Sequence, residues 1–213
     1  MKSMWWIAGS IVMMAAASAG AANSAQINYC GDLKNAYGPF DYRTRAEHVE
    51  NFYLVEMAHF TPEVENGIKG STGLIGGDLD YTLRAIPNHH RALAALARVA
   101  VRTKSLQVPG TKWPVECYFE RAMRFQPDDG GAKAEYGNYL YALGKADKAF
   151  PLFREAAEMS PDNPTINYNL GLAYFQKKDY DNSLLYAKKA YALGFPLPGL
   201  KNKLAAAGKW NDK

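Results

Sequence analysis

Cysteine is almost absent from this sequence, with two in 213 residues. That excludes a disulfide-dense scaffold and any four-cysteine zinc or iron–sulfur centre within one chain. An excess of one charge is missing too. Lys and Arg total 25 against 21 Asp and Glu, a net charge of +4, which is too even to mark a nucleic-acid binder. Proline and glycine, at 11 and 18, are too few for a collagen-like or low-complexity chain. Neither a Gly-x-Ser-x-Gly elbow, a Cys-x-x-Cys pair nor a His-Glu-x-x-His helix occurs. The stretch 67–77 is rich in glycine but holds no Gly-Lys-Ser/Thr, so it cannot cradle phosphates as a P-loop does. It reads as a loose turn. What remains, at 48% apolar and 22% charged residues, is the composition of a folded globular chain with room for one ordinary core.

One long apolar run is present, and it lies at the start. Lys2 precedes an uncharged, mostly apolar stretch over residues 4–17, followed by Ala17, Ala19 and Ala21 as small residues for a peptidase site. This order reads as a secretory signal over residues 1–25, with cleavage expected before Gln26. The run falls short of the roughly 20 residues of a membrane span; an uncleaved anchor is the alternative reading. No later run is long enough to cross a bilayer, so the expected location is periplasmic or secreted. In an oxidising compartment two cysteines invite pairing, and a Cys30–Cys117 disulfide is expected. The alternative is a buried, reduced Cys117 with an unpaired Cys30.

The remainder is organised by a period of 34. Gly137 and Gly171, Ala156 and Ala190, Phe119 and Phe153, Ala122 and Ala156, and Pro127 and Pro161 are each separated by that interval. Within a unit, apolar residues recur at three and four, which gives two amphipathic helices. Gly144 suits the left-handed end of a first helix. Pro161 cannot continue a second helix, and Asp162-Asn163 supplies turn and cap chemistry before the next. A single hairpin cannot bury both of its faces, so the hairpins must stack.

The spacing of Tyr136-Gly137, Leu140, Gly144, Ala149, Phe153, Ala156 and Pro161, repeated as Leu170-Gly171, Tyr174, Tyr180, Ser183, Ala187 and Ala190, resembles the tetratricopeptide repeat. The fold expected is therefore all-α, a helical-hairpin solenoid. Its repeats are placed at 130–163 and 164–197, with a repeat carrying a loop insertion at 88–129. A degenerate hairpin is expected at 46–87, a capping helix and tail at 198–213, and a segment without recognised motif at 26–45.

The resemblance implies a binding scaffold rather than an enzyme, with no cofactor. First helices of the family line a concave groove. Carried onto this chain, that groove offers Arg91, Ala94, Arg98, Val101 and Arg102, then Asn138 and Tyr141, then Tyr168, Leu172, Phe175 and Gln176. The three arginines share one helical face, and a guanidinium binds carboxylates in a bidentate manner. Asn138 and Asn169 resemble asparagines with which some members clamp a C-terminal carboxylate, although the lysine expected beside them is Ala134. The expected partner is another envelope protein, presenting an acidic or carboxylate-ended peptide or a helix. The competing reading is a small periplasmic enzyme or metal protein using His59, His89 or His90. Glu56-x-x-His59 lacks the second such pair that a di-iron bundle needs, and no metal site is expected.

Overall fold

The computed structural model describes residues 29–210. The expected signal at 1–25 lies outside the described residues. The chain divides into a unit ending at Asp32 and a second, Leu33–Lys213, which contains every element below.

All elements among the described residues are helical. A 3-10 turn over Tyr42–Glu47 leads to α1 (Val49–His59), the short α2 (Pro62–Glu65), α3 (Ile75–Ala85) and α4 (His90–Thr103). Then follow α5 (Val115–Phe125), α6 (Gly130–Ala142), α7 (Ala146–Met159), α8 (Pro164–Gln176), α9 (Tyr180–Ala192) and α10 (Gly199–Ala206). Each helix packs on its neighbours: α1 on α3, α3 on α4, and α4 on both α5 and α6. Further along, α6 packs on α7, α7 on α8, α8 on α9, and α10 on both α8 and α9.

Local chemistry sets where the helices begin and end. Asp129 accepts from the Ala132 amide at 3.1 Å, and Asn163, one period later, accepts from Thr165 and Ile166 at 3.0 and 3.1 Å. These side chains satisfy donors that the first turn of α6 and of α8 leaves unpaired. After α6 the chain reverses at Gly144, whose φ of +76° is open to a residue without Cβ. Gly137 serves close approach instead. A Cβ placed there would lie 2.7 Å from the Phe153 ring, so α6 and α7 meet at that point.

The core follows the helix order. Leu79, Leu83, Leu93, Leu96, Tyr118 and Phe119 are buried together between α3 and α6, and Leu140, Phe153, Ile166 and Leu170 between α6 and α8. Leu200 and Leu204 of α10 close the far end on Ala187. Among the described residues no helix is long and apolar enough to cross a membrane. Cys30 and Cys117 are both disulfide-bonded, and no cysteine is free.

The loose turn and the loop insertion read from the sequence are both stitched down. Buried Asp78 accepts from the Ser71 and Thr72 amides at 2.7 and 3.1 Å and from the Thr72 hydroxyl at 2.6 Å, which pins the glycine-rich turn to α3. The insertion between α4 and α5 lies on α3, where Asp80 accepts from the Lys112 amide and from the buried Tyr118 hydroxyl. Residues 40–42, which match no motif, are bound in turn: the Phe40 amide donates to the Ala85 carbonyl, and the Tyr42 amide to Asn88 Oδ1, both at 2.9 Å.

Candidate functional site

Hairpin stacking lays first helices α4, α6 and α8 side by side, so residues on one face of each meet across the row. Between α4 and α6 lies a cavity of about 510 Å³. Ala94, Ala97 and Val101 of α4 and Ala142 of α6 give it an apolar lining; Arg98, Arg102, Glu135 and Asn138 give it polar walls. A smaller cavity of about 40 Å³ follows between α6 and α8, lined by Asn138, Tyr141, Phe153, Asn169 and Leu172.

The chain itself supplies partners to the arginine stripe. Arg91 donates through Nε and Nη2 to both carboxylate oxygens of Glu65, with Nε–Oε1 at 2.7 Å. That bidentate pair holds the Glu65 carboxyl below its ordinary range. Arg98 Nη2 donates to the Glu65 carbonyl at 2.6 Å, and Arg102 Nη2 to the Gly67 carbonyl. Helix α2 and the turn after it thus lie against one end of the row, anchored by fully buried Val64. Sequence reasoning missed Glu65, because nothing periodic links it to Arg91, 26 residues later.

An amide chain runs across the middle of the row. Asn169 Nδ2 donates to Asn138 Oδ1 at 3.0 Å, and Asn138 Nδ2 donates to Glu135 Oε2 at 3.2 Å. Burial pushes the Glu135 carboxyl above the ordinary carboxylate range, against the lowering effects of Asn138, His90 and Arg98. Glu135 carries no mark in the sequence beyond being one more surface-type residue of a helix.

At the other end the expected groove residues turn to the C-terminal helix. Tyr168 stacks on Phe195 at 4.0 Å between centroids, Leu172 and Phe175 pack around Leu200 and Leu204, and Lys203 Nζ lies 6.0 Å over the Phe175 ring. Gln176 and Tyr141 line a separate cavity of about 150 Å³ beside α7. The structure therefore brings Arg98, Arg102 and Asn138 to one site and places Arg91, Tyr168 and Phe175 elsewhere.

The three histidines do not converge. His59 Nδ1 pairs with Asp78 at 2.9 Å and its ring stacks on Tyr81; His90 Nε2 pairs with Asp129 at 2.8 Å. His89 is buried and caps α4, its Nδ1 accepting from the Ala92 amide at 3.1 Å. The proton therefore sits on Nε2, which donates to Glu56 at 3.0 Å. Burial lowers the His89 pKa below its ordinary value, keeping the ring neutral. No group of three or more His, Cys, Asp or Glu that could hold a metal occurs among the described residues.

This geometry is that of known helical repeats. The tetratricopeptide repeat family model matches residues 118–194. No curated protein sequence matches the chain. Among solved structures, PilF of Pseudomonas aeruginosa is similar at 18% identity and a TM-score of 0.53, over 78% of this chain and 72% of that one. MamA is similar at 16% identity and a TM-score of 0.46, over 79% and 85% of the two chains. YrrB, described as a tetratricopeptide-repeat protein with an unusual peptide-binding site, gives 21% identity and 0.45, over 78% and 75%. Residues 118–194, which span most of α5 to α9, thus match the tetratricopeptide repeat in sequence as well as in their stacked helical hairpins.

Proposed function

We propose that this chain is a non-catalytic scaffold of the bacterial envelope, exported by the signal at 1–25, which holds an acidic or carboxylate-ended segment of another envelope protein. The observation that carries this reading is the cavity between α4 and α6 with Arg98 and Arg102 on its wall. Both guanidinium groups bond to backbone carbonyls, so they keep their charge for an anionic partner. Asn138 and Tyr141 extend the contact towards α8, with Leu172 at its edge. Arg91 serves the partner indirectly, by fixing Glu65 and with it the end wall. Tyr168, Phe175 and Gln176 would form the margin of the same surface. A photo-crosslinking residue at Ala94, compared with one at exposed Lys148, tests the reading in intact envelopes. The expected result is a discrete product at Ala94 that disappears with Arg98→Ala. A product at Lys148 alone, unaffected by Arg98→Ala, would move the partner to the other face.

A further inference from the structure

Three charged side chains line the central cavity, and each is hydrogen-bonded only to neutral groups among the described residues. Arg98 and Arg102 donate to backbone carbonyls, and Glu135 accepts from the Asn138 side-chain amide. Arg91, by contrast, is matched by Glu65. The two arginines lie one turn apart on α4, while Glu135 comes from α6. One wall thus offers two cationic groups and the other a single carboxyl group, and alanines with Val101 make up the apolar part of the lining. The volume, about 510 Å³, falls in the range of about 300–1,000 Å³ that suits small molecules. Both margins of the row are already engaged by the chain, by α2 at one end and by Phe195 and α10 at the other.

We propose that this cavity binds a free acidic amino acid, with its two carboxylates on Arg98 and Arg102 and its ammonium group on Glu135. The proposal rests on the reading of the cavity as a carboxylate-binding site and goes beyond it, setting a free amino acid against the peptide segment as its occupant. The ligand's charge pattern, two anionic groups and one cationic, is the inverse of the wall's. Each contact is a charge-assisted hydrogen bond, made by exposed guanidinium groups on α4 and by the half-buried Glu135 on α6. Glu135, desolvated and without a cationic hydrogen-bond partner, gains one from the ligand. Discrimination follows from the same pairing. A dicarboxylate without an amine leaves Glu135 uncompensated, and a neutral amide in place of the side-chain carboxylate leaves one guanidinium unmatched.

Calorimetric titration of the purified chain tests this with L-glutamate, L-aspartate, glutarate, L-glutamine and a peptide beginning with glutamate. Saturable binding is expected for glutamate or aspartate. Glutarate and glutamine are expected to bind at least about tenfold more weakly, a difference of about 1.4 kcal/mol. Glu135→Gln is expected to bring glutamate down to the level of glutarate and not to weaken glutarate. Should that variant not fold, the Asn138 side-chain amide signals in the NMR spectrum of the unaltered protein give the same reading: they shift with glutamate and not with glutamine. Glutarate binding as tightly as glutamate, the peptide binding more tightly than the free amino acid, or Glu135→Gln weakening both small acids alike would each overturn the proposal. So would the lack of saturable binding by any small acid. If the Arg98-dependent crosslink at Ala94 survives that result, the scaffold reading stands while the ligand assignment falls.

Discussion

Asn88 has no exposed surface, and its side-chain amide is divided between two carboxylates, donating to Asp41 and to Asp129 at 2.7 Å each. Its carbonyl oxygen accepts from the Tyr42 amide. Alanine at this position leaves both carboxylates short of a donor, and Asn88→Ala is expected to cost about 3 kcal/mol in urea unfolding. Burial works to raise the Asp129 pKa, but its bonds from His90 and Asn88 outweigh this and hold it below 3.8. Asp78 is likewise held below that value by Thr72 and His59. A carboxyl lowered by folding contributes stability above its unfolded pKa and loses it as pH falls through the folded one. His89 is lowered as well, so its contribution also declines on acidification, starting at its unfolded value of 6.5. Unfolding midpoints are therefore expected to fall from pH 7 towards pH 5, then steeply below about pH 4. His89→Asn keeps a cap and removes the ionisable ring, so the slope between pH 7 and 5 is expected to flatten. The bridging role of Asn88 was not readable in the sequence. The partner Asp41 lies 47 residues earlier, in a segment without periodicity.

At the scale of the element, the reversals after α6 and α8 form a natural pair. Gly144 and Lys178 are one period apart and both are left-handed, at φ +76° and +60°. A left-handed non-glycine residue costs roughly 1–2 kcal/mol, offset in part because glycine is freer in the unfolded chain. Lys178→Gly is expected to stabilise by about 0.5 kcal/mol, and Gly144→Ala to destabilise by a similar or larger amount, read as shifts in thermal midpoint. At Gly137 the Phe153 ring leaves no room for a side chain, so Gly137→Leu is expected to cost about 3 kcal/mol by overpacking. The helices from α4 to α10 were readable because each is long enough to show the three-four pattern. Helix α2, with 4 residues, and the 3-10 turn at Tyr42–Glu47 are too short for any periodic signal. The partner Glu65 on α2 was hidden with them, and so was the fact that the arginine stripe already has a neighbour.

In the molecule as a whole, stacked repeats draw stability from adjacent units more than from distant ones. Leu204→Ala empties a fully buried site on α10 and is expected to cost about 3 kcal/mol. In hydrogen exchange the loss should appear first over α8 to α10, with the amides of α4 and α5 still protected. Uniform deprotection would show instead that the stack unfolds as one body. Thiol labelling of the unreduced, denatured protein is expected to find neither Cys30 nor Cys117 reactive.

The Asn88 bridge sets a limit on how such a chain can lengthen. Arrays of this kind grow or shrink by copying whole units. The hairpins α6–α7 and α8–α9 each begin with their own cap, Asp129 and Asn163, and a further hairpin between them would disturb neither cap. Asp129, however, is also the acceptor for Asn88 and His90, and Asn88 in turn holds the backbone of Tyr42. A unit inserted between α5 and α6 would separate partners that depend on one carboxylate. Lengthening beyond that aspartate leaves the bridge intact, whereas lengthening between Asn88 and Asp129 breaks it.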